Sequence, residues 1–149
     1  MSLEANINED LKSAMKAKDQ VALRGIRAIK SAILLHNTSE AGGELTPEKE
    51  IALLQKLVKQ RQDSLDIFEK QGREDLALIE RQEIEVIMRY LPKQLNEDEL
   101  REAIRNIMSR IGASTMKDMG RVMAEASKEF AGKADGKTIS AVVKGLLSN

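Results

Sequence analysis

The chain of 149 residues suits one compact domain or two small helical ones and is too short for a large multi-domain enzyme. Lysine plus arginine and aspartate plus glutamate both number 24, so no chain-wide basic field exists to drive non-specific nucleic-acid binding, and any charge logic is local. No cysteine and a single histidine remove disulfides, thiolate nucleophiles and Cys/His zinc sites together, while 2% aromatics and two prolines leave a chain rich in helix formers.

Apolar residues at Ile7, Leu11, Ala14 and Met15 share one face of a first helix over Leu3 to Lys18. Asp19 can cap a second helix carrying Ala22, Ile26, Ile29 and Ile33, which fades into a polar loop from Asn37 to Glu44. Thr46 before Pro47 is a strong start signal, because the hydroxyl satisfies an orphan amide and proline needs no donor at the first position. The third helix runs with Leu54, Val58, Leu65 and Phe68 inward to Gly72, a natural left-handed stop. A fourth carries Leu76, Ile79, Ile87 and Tyr90 and ends at Leu91, before the ring of Pro92.

The stretch from Pro92 to Leu95 reads as the boundary between subdomains, since Asn96 to Glu99 begins a new capping box with acids in the first turn. Helices over Glu97 to Ile111, Thr115 to Ala131 and Gly136 to Leu147 follow, separated by glycine-containing turns. Met116, Met119 and Met123 recur at helical spacing and read as a core seam. The expected fold class is all-α, an N-terminal four-helix subdomain over 1–93 followed by a three-helix tail over 94–149.

If the third and fourth helices fold back about Gly72, Arg61 comes level with Glu83 and Lys59 with Glu85. Arg61 lies near the apolar face, so Arg61 and Glu83 form a candidate structural ion pair; the alternative is that both side chains reach water. His36 has no serine in a Gly-x-Ser-x-Gly turn beside it and reads as a helix-end residue. No catalytic residue, metal ligand set or cofactor site stands out. The stretch from Gly132 to Thr138 fails the spacing of a nucleotide-binding loop, with three residues between its glycines and no strand before it. The start of the last helix still offers amides beside Lys133 and Lys137 as a place for one phosphate.

Charge is uneven although its sum is zero. From Ala103 onward eight basic residues face four acidic ones, whereas from Glu44 to Glu102 ten basic residues face fifteen acidic ones. The basic end makes Arg121, Lys128, Lys133, Lys137 and Lys144 candidate nucleic-acid contacts. A second basic run, Arg24, Arg27 and Lys30, follows one ridge of the second helix and is open to pairing with the acidic segment instead. Phe68, Tyr90 and Phe130 are expected in the core, so RNA contact would be to phosphates and would weaken with salt. The chain is expected to be cytosolic and not membrane-bound, because no charged leader precedes an apolar run and Ser31 to Leu35 is too short to span a bilayer.

Three stretches carry a resemblance: Lys59 to Ala77 (KQRQDSLDIFEKQGREDLA), Tyr90 to Leu95 (YLPKQL), and Gly132 to Lys137 (GKADGK) followed by Val142-Val-Lys. In this order they resemble the YqeY-like proteins, over nearly the whole chain. That family is similar to the helical and tail regions at the carboxyl end of GatB, a subunit of the glutamine-dependent aminoacyl-tRNA amidotransferase, where the tail helps hold tRNA. The resemblance implies the two-part helical plan, tRNA contact at Lys133 and Lys137, and a family label of carbon–nitrogen ligase with glutamine as amide donor. The GatB domain that performs phosphorylation and amide transfer has no counterpart in this chain. The expected function is therefore a non-catalytic, tRNA-associated module, with a protein adaptor docking on another subunit as the alternative. Gly120, before Arg121-Val-Met, matches a glycine of the tail and is expected at a close helix contact.

Overall fold

A computed structural model describes residues 2–39 and 43–148 of the chain. Among these the structure is all-helical, and two compact units separate as Met1–Leu91 and Pro92–Asn149.

The first unit holds α1 (Leu3–Ala17), α2 (Gln20–Thr38), α3 (Pro47–Lys70) and α4 (Glu74–Met88). The starts of the first three are fixed locally: the side chains of Ser2, Asp19 and Thr46 accept from the amides of Ala5, Ala22 and Lys49. Gly72, at φ +68°, turns α3 back into α4, and the Arg73 amide donates to the Phe68 carbonyl at 2.9 Å to close the turn. α2 packs against both α1 and α4, and Ile7, Ile29, Leu54, Val86 and Ile87 are enclosed where the helices meet. The N–H of Leu3 donates to Glu50 Oε2 at 2.6 Å, which ties the first turn of α1 to α3.

Helix α2 approaches α4 at Gly25. A methyl group there would lie 2.5 Å from both Cβ and Cγ1 of Val86, so only glycine permits this spacing. Gly120, expected at such a contact, has open space around the corresponding position. That expectation is corrected: the close approach is at Gly25.

Four further expectations change. Met15 is 56% exposed, because Ala14 carries on the inward line from Ile7 and Met15 falls on its flank. Helix α4 ends at Met88 instead of Leu91, since the amides of Arg89, Tyr90 and Leu91 bond to carbonyls three residues back and tighten the chain before Pro92. Phe68 and Tyr90 are only half-buried, the latter donating its hydroxyl to Asp10 on α1. Of the loop expected over Asn37 to Glu44, residues 40–42 lie outside the described residues, and α2 itself continues to Thr38.

The second unit holds α5 (Glu97–Ile111), α6 (Met119–Glu129) and α7 (Gly136–Leu147) around Leu100, Ile104, Val122, Phe130 and Val143. Asn96 and Glu99 form the reciprocal capping box, each side chain accepting from the other's amide. Helix α6 starts later than expected, after a separate 3-10 turn at Met116–Asp118. The cause is Asp118, whose carboxylate reaches back to the amides of Ser114 and Thr115. Those amides, with Arg121, hold its pKa below the usual carboxylate range. Met116 rides outward on that turn at 43% exposure, while Met119 and Met123 join the core. No described helix is long and apolar enough to cross a membrane.

Candidate functional site

The stretches Pro92 to Leu95 and Gly132 to Lys137 are far apart in sequence, yet the second unit joins them. The side-chain amide of Gln94 donates to the carbonyls of Pro92 at 2.9 Å and Gly132 at 2.6 Å, and the Leu95 N–H donates to the Lys133 carbonyl at 2.9 Å. Gly132 adopts φ +78°, and the Lys133 amide turns back onto the Phe130 carbonyl at 2.8 Å. Lys133 therefore projects from a loop whose backbone is pinned on two sides, and Lys93 flanks the same strut in sequence. Sequence reasoning passed over Lys93, because its neighbourhood with the loop arises only through Gln94.

The start of α7 differs from the expectation of an open phosphate site. Asp135 caps it, its carboxylate accepting from the Thr138 amide at 2.6 Å. A negative side chain already satisfies that amide and would repel a phosphate, so the helix terminus is not where an anion docks.

The candidate lysines divide from the candidate arginine by their partners. Lys128, Lys133, Lys137 and Lys144 are exposed and have no ion-pairing carboxylate among the described residues. Arg121 is held by Asp118 at 2.9 Å, and Arg110 lies between Glu125 and Glu129 at 3.7 and 3.5 Å. Lys137 and Lys144, seven residues apart on α7, share one side of the helix. Lys137 also lines a cleft of about 710 Å³ between α5 and α7, opposite Arg101 and Arg105, where the small residues Ala141 and Gly145 keep the α7 wall low. Arg101 contacts Glu97 at 2.8 Å and Asp98 at 3.6 Å, and Arg105 contacts Glu102 at 3.7 Å. Neither arginine was singled out from sequence; their four-residue spacing on the side of α5 facing α7 was the available signal.

The second basic run does not form one patch. Arg24 turns inward and donates to the Gln82 side chain on α4, whereas Arg27 and Lys30 are exposed. Arg61 Nε lies 3.7 Å from Glu83 Oε2, with side chains only 19% and 17% exposed, and Arg61 Nη1 donates to the Leu57 carbonyl at 3.1 Å. Burial and the Glu83 charge together raise the pKa of neighbouring Glu80, against the pull of Arg61. Lys59 pairs with Asp63 and Glu85 with Arg89, each one turn along its own helix. Among the described residues no group of three or more His, Cys, Asp or Glu side chains is placed to hold a metal ion.

Comparison with known proteins gives the family. The model of the family described as Yqey-like protein matches residues 4–147. The chain belongs to the YqeY-like family. Among curated relatives it is 36% identical over 115 residues to Altered inheritance of mitochondria protein 41, mitochondrial, of Clavispora lusitaniae, covering 76% of this chain and 66% of that protein. The protein of the same name in Lachancea thermotolerans is 35% identical over 112 residues, 74% of this chain and 60% of the relative. That of Saccharomyces cerevisiae is 29% identical over 130 residues, 87% and 69%. This YqeY-like chain thus spans somewhat under two thirds of the length of the first two relatives.

These names overturn the expectation of a cytosolic chain, since the relatives are mitochondrial proteins. The ground for that expectation, the lack of a charged leader before an apolar run, bears on secretion and does not discriminate between interior compartments.

Proposed function

We propose that this YqeY-like chain is a non-catalytic helical module that binds tRNA by its phosphate backbone and serves tRNA-dependent amidation, the carbon–nitrogen ligation with glutamine as amide donor that the family label names. The observation that carries the reading is the set of lysines in the three-helix unit that lack carboxylate partners among the described residues, with Lys137 and Lys144 on one side of α7 and Lys133 on the pinned loop. An unpaired lysine has no internal contact to give up when a phosphate approaches, so counterion release can favour binding directly. The likeness of this unit to a tail that holds tRNA supports the same choice of ligand.

The test is a salt-titrated binding assay with tRNA. The protein should retard tRNA at low salt, and Lys133→Ala with Lys137→Ala should weaken the complex and flatten the dependence of log K on log salt by about 1.5. Arg121→Ala should change little, because Asp118 already occupies that guanidinium. Unchanged binding and slope in the double variant would overturn the reading. The chain alone is expected to form no glutaminyl-tRNA from glutamyl-tRNA, glutamine and ATP; product above a protein-free control would defeat the non-catalytic assignment.

A further inference from the structure

A second cleft, of about 520 Å³, opens between α2 and α3 in the four-helix unit. Its α2 wall is made by Ala32, Leu35 and His36, with Ser39 just beyond the helix end, and its α3 wall by residues at helical spacing from Lys49 to Gln60. At 1.5 Å rise per residue the α3 wall is roughly 16 Å long, so the space is a groove about three helical turns in length. We propose that this groove receives an acidic amphipathic helix of a partner protein, with apolar side chains seated on Leu35, Leu53 and Leu57 and carboxylates meeting Lys56 and His36.

Three observations carry the assignment. The floor is apolar and supported from below: Leu53 and Leu57 are half-buried and pack against the main core, while Leu35 at the rim is 72% exposed beside Leu34 at 64%. Leu35, a large apolar side chain facing water at the edge of an apolar floor, is what a helix-binding groove presents to its ligand. The charge is one-sided, since among the described residues no acid lines the groove although α3 and α4 together are rich in acids. Lys56 stands exposed on the wall with no carboxylate partner among the described residues. Finally, His36 Nε2 is buried and has no hydrogen-bond partner. A buried polar nitrogen without a partner is unfavourable, and a turn of the imidazole toward the groove would bring it to an entering carboxylate. The inference goes beyond RNA binding and holds whether or not the other unit binds tRNA.

The experiment uses the full chain and a fluorescein-labelled synthetic peptide about three turns long, with leucines at helical i, i+3, i+4, i+7 spacing and glutamates elsewhere. A twin carries lysine in place of every glutamate. The acidic peptide should bind saturably by fluorescence anisotropy and the basic twin at least about tenfold more weakly. Leu35→Glu should weaken the acidic peptide by about tenfold or more. Lys56→Glu should shift preference toward the basic twin, a reversal that a structural role would not produce. Both side chains are exposed, so circular dichroism melts of the variants should match the parent. Leu78→Glu, at an exposed leucine of α4 outside the groove, should leave binding unchanged. Equal binding of the two peptides, no saturable binding, or indifference to Leu35→Glu would overturn the proposal. So would a concentration-dependent dimer abolished by Leu35→Glu, which would make the occupant a second copy, or tRNA binding lost in Lys56→Glu without peptide binding.

Discussion

In the four-helix unit Arg24 reaches Gln82, Arg61 faces Glu83, and Arg81 contacts both Glu69 and Glu74, whereas in the three-helix unit Lys128, Lys133, Lys137 and Lys144 stand apart from any described carboxylate. The division follows side-chain chemistry as much as charge count. A guanidinium offers a planar fork that fixes two helices in register, while an ammonium on a flexible stem is better hydrated and more readily left in water. Even in the smaller unit Arg101, Arg105, Arg110 and Arg121 take acidic partners. A surplus of four positive charges read from the sequence therefore does not say which cations are available; the partners do.

The contrast can be sharpened first in the cores. Ile104→Ala empties the centre of the three-helix core and should cost about 2–5 kcal/mol in urea denaturation followed by circular dichroism. Gly25→Ala should cost about 1–3 kcal/mol, because its methyl meets the branched carbon of Val86, and adding Val86→Ala should recover part of that loss. Gly120→Ala, in open space on α6, should instead leave stability unchanged or raise it by up to about 1 kcal/mol. If both glycines behaved alike, the difference in helix spacing between the units would be wrong.

A smaller loss, about 1–2 kcal/mol, is expected for Gln94→Ala, which removes the strut from Pro92 to Gly132. The same variant should weaken tRNA binding without removing a positive charge, so the salt slope should stay near that of the parent. The smallest effect is a pH dependence confined to the four-helix unit. Burial, then the hydrogen bond to Asp10 and its charge, raise the pKa of Tyr90 above the ordinary phenol value. The folded chain thus holds that proton more tightly than the unfolded chain. The contribution is fully present below about pH 10 and is lost as the pH rises beyond it. Urea midpoints measured from pH 9 to 11 should fall in the parent and fall less in Tyr90→Phe.

Much of the fold was legible because helix starts are written locally. Asp19, the Thr46-Pro47 pair and the Asn96/Glu99 box act within four residues, and each closes the hydrogen bond its spacing implies. The features that escaped are those set by distant neighbours. The inward turn of Arg24 depends on Gln82, and the joining of residues 92–95 to 132–133 depends on how three helices pack. Asp135 was readable as a cap, yet it was overlooked beside the lysines that flank it. Gly25 carried a signal too, since glycine inside a well-formed helix lowers its stability by about 1 kcal/mol and so asks for a reason in the packing.

The strut made by Gln94 and Leu95 bears on how the protein can be divided. A chain break placed at Asn96, where the capping box opens, would leave the bend after Phe130 without its outer anchors. A fragment meant to preserve the pose of the terminal lysines should begin no later than Pro92, and an inserted spacer belongs upstream of that proline.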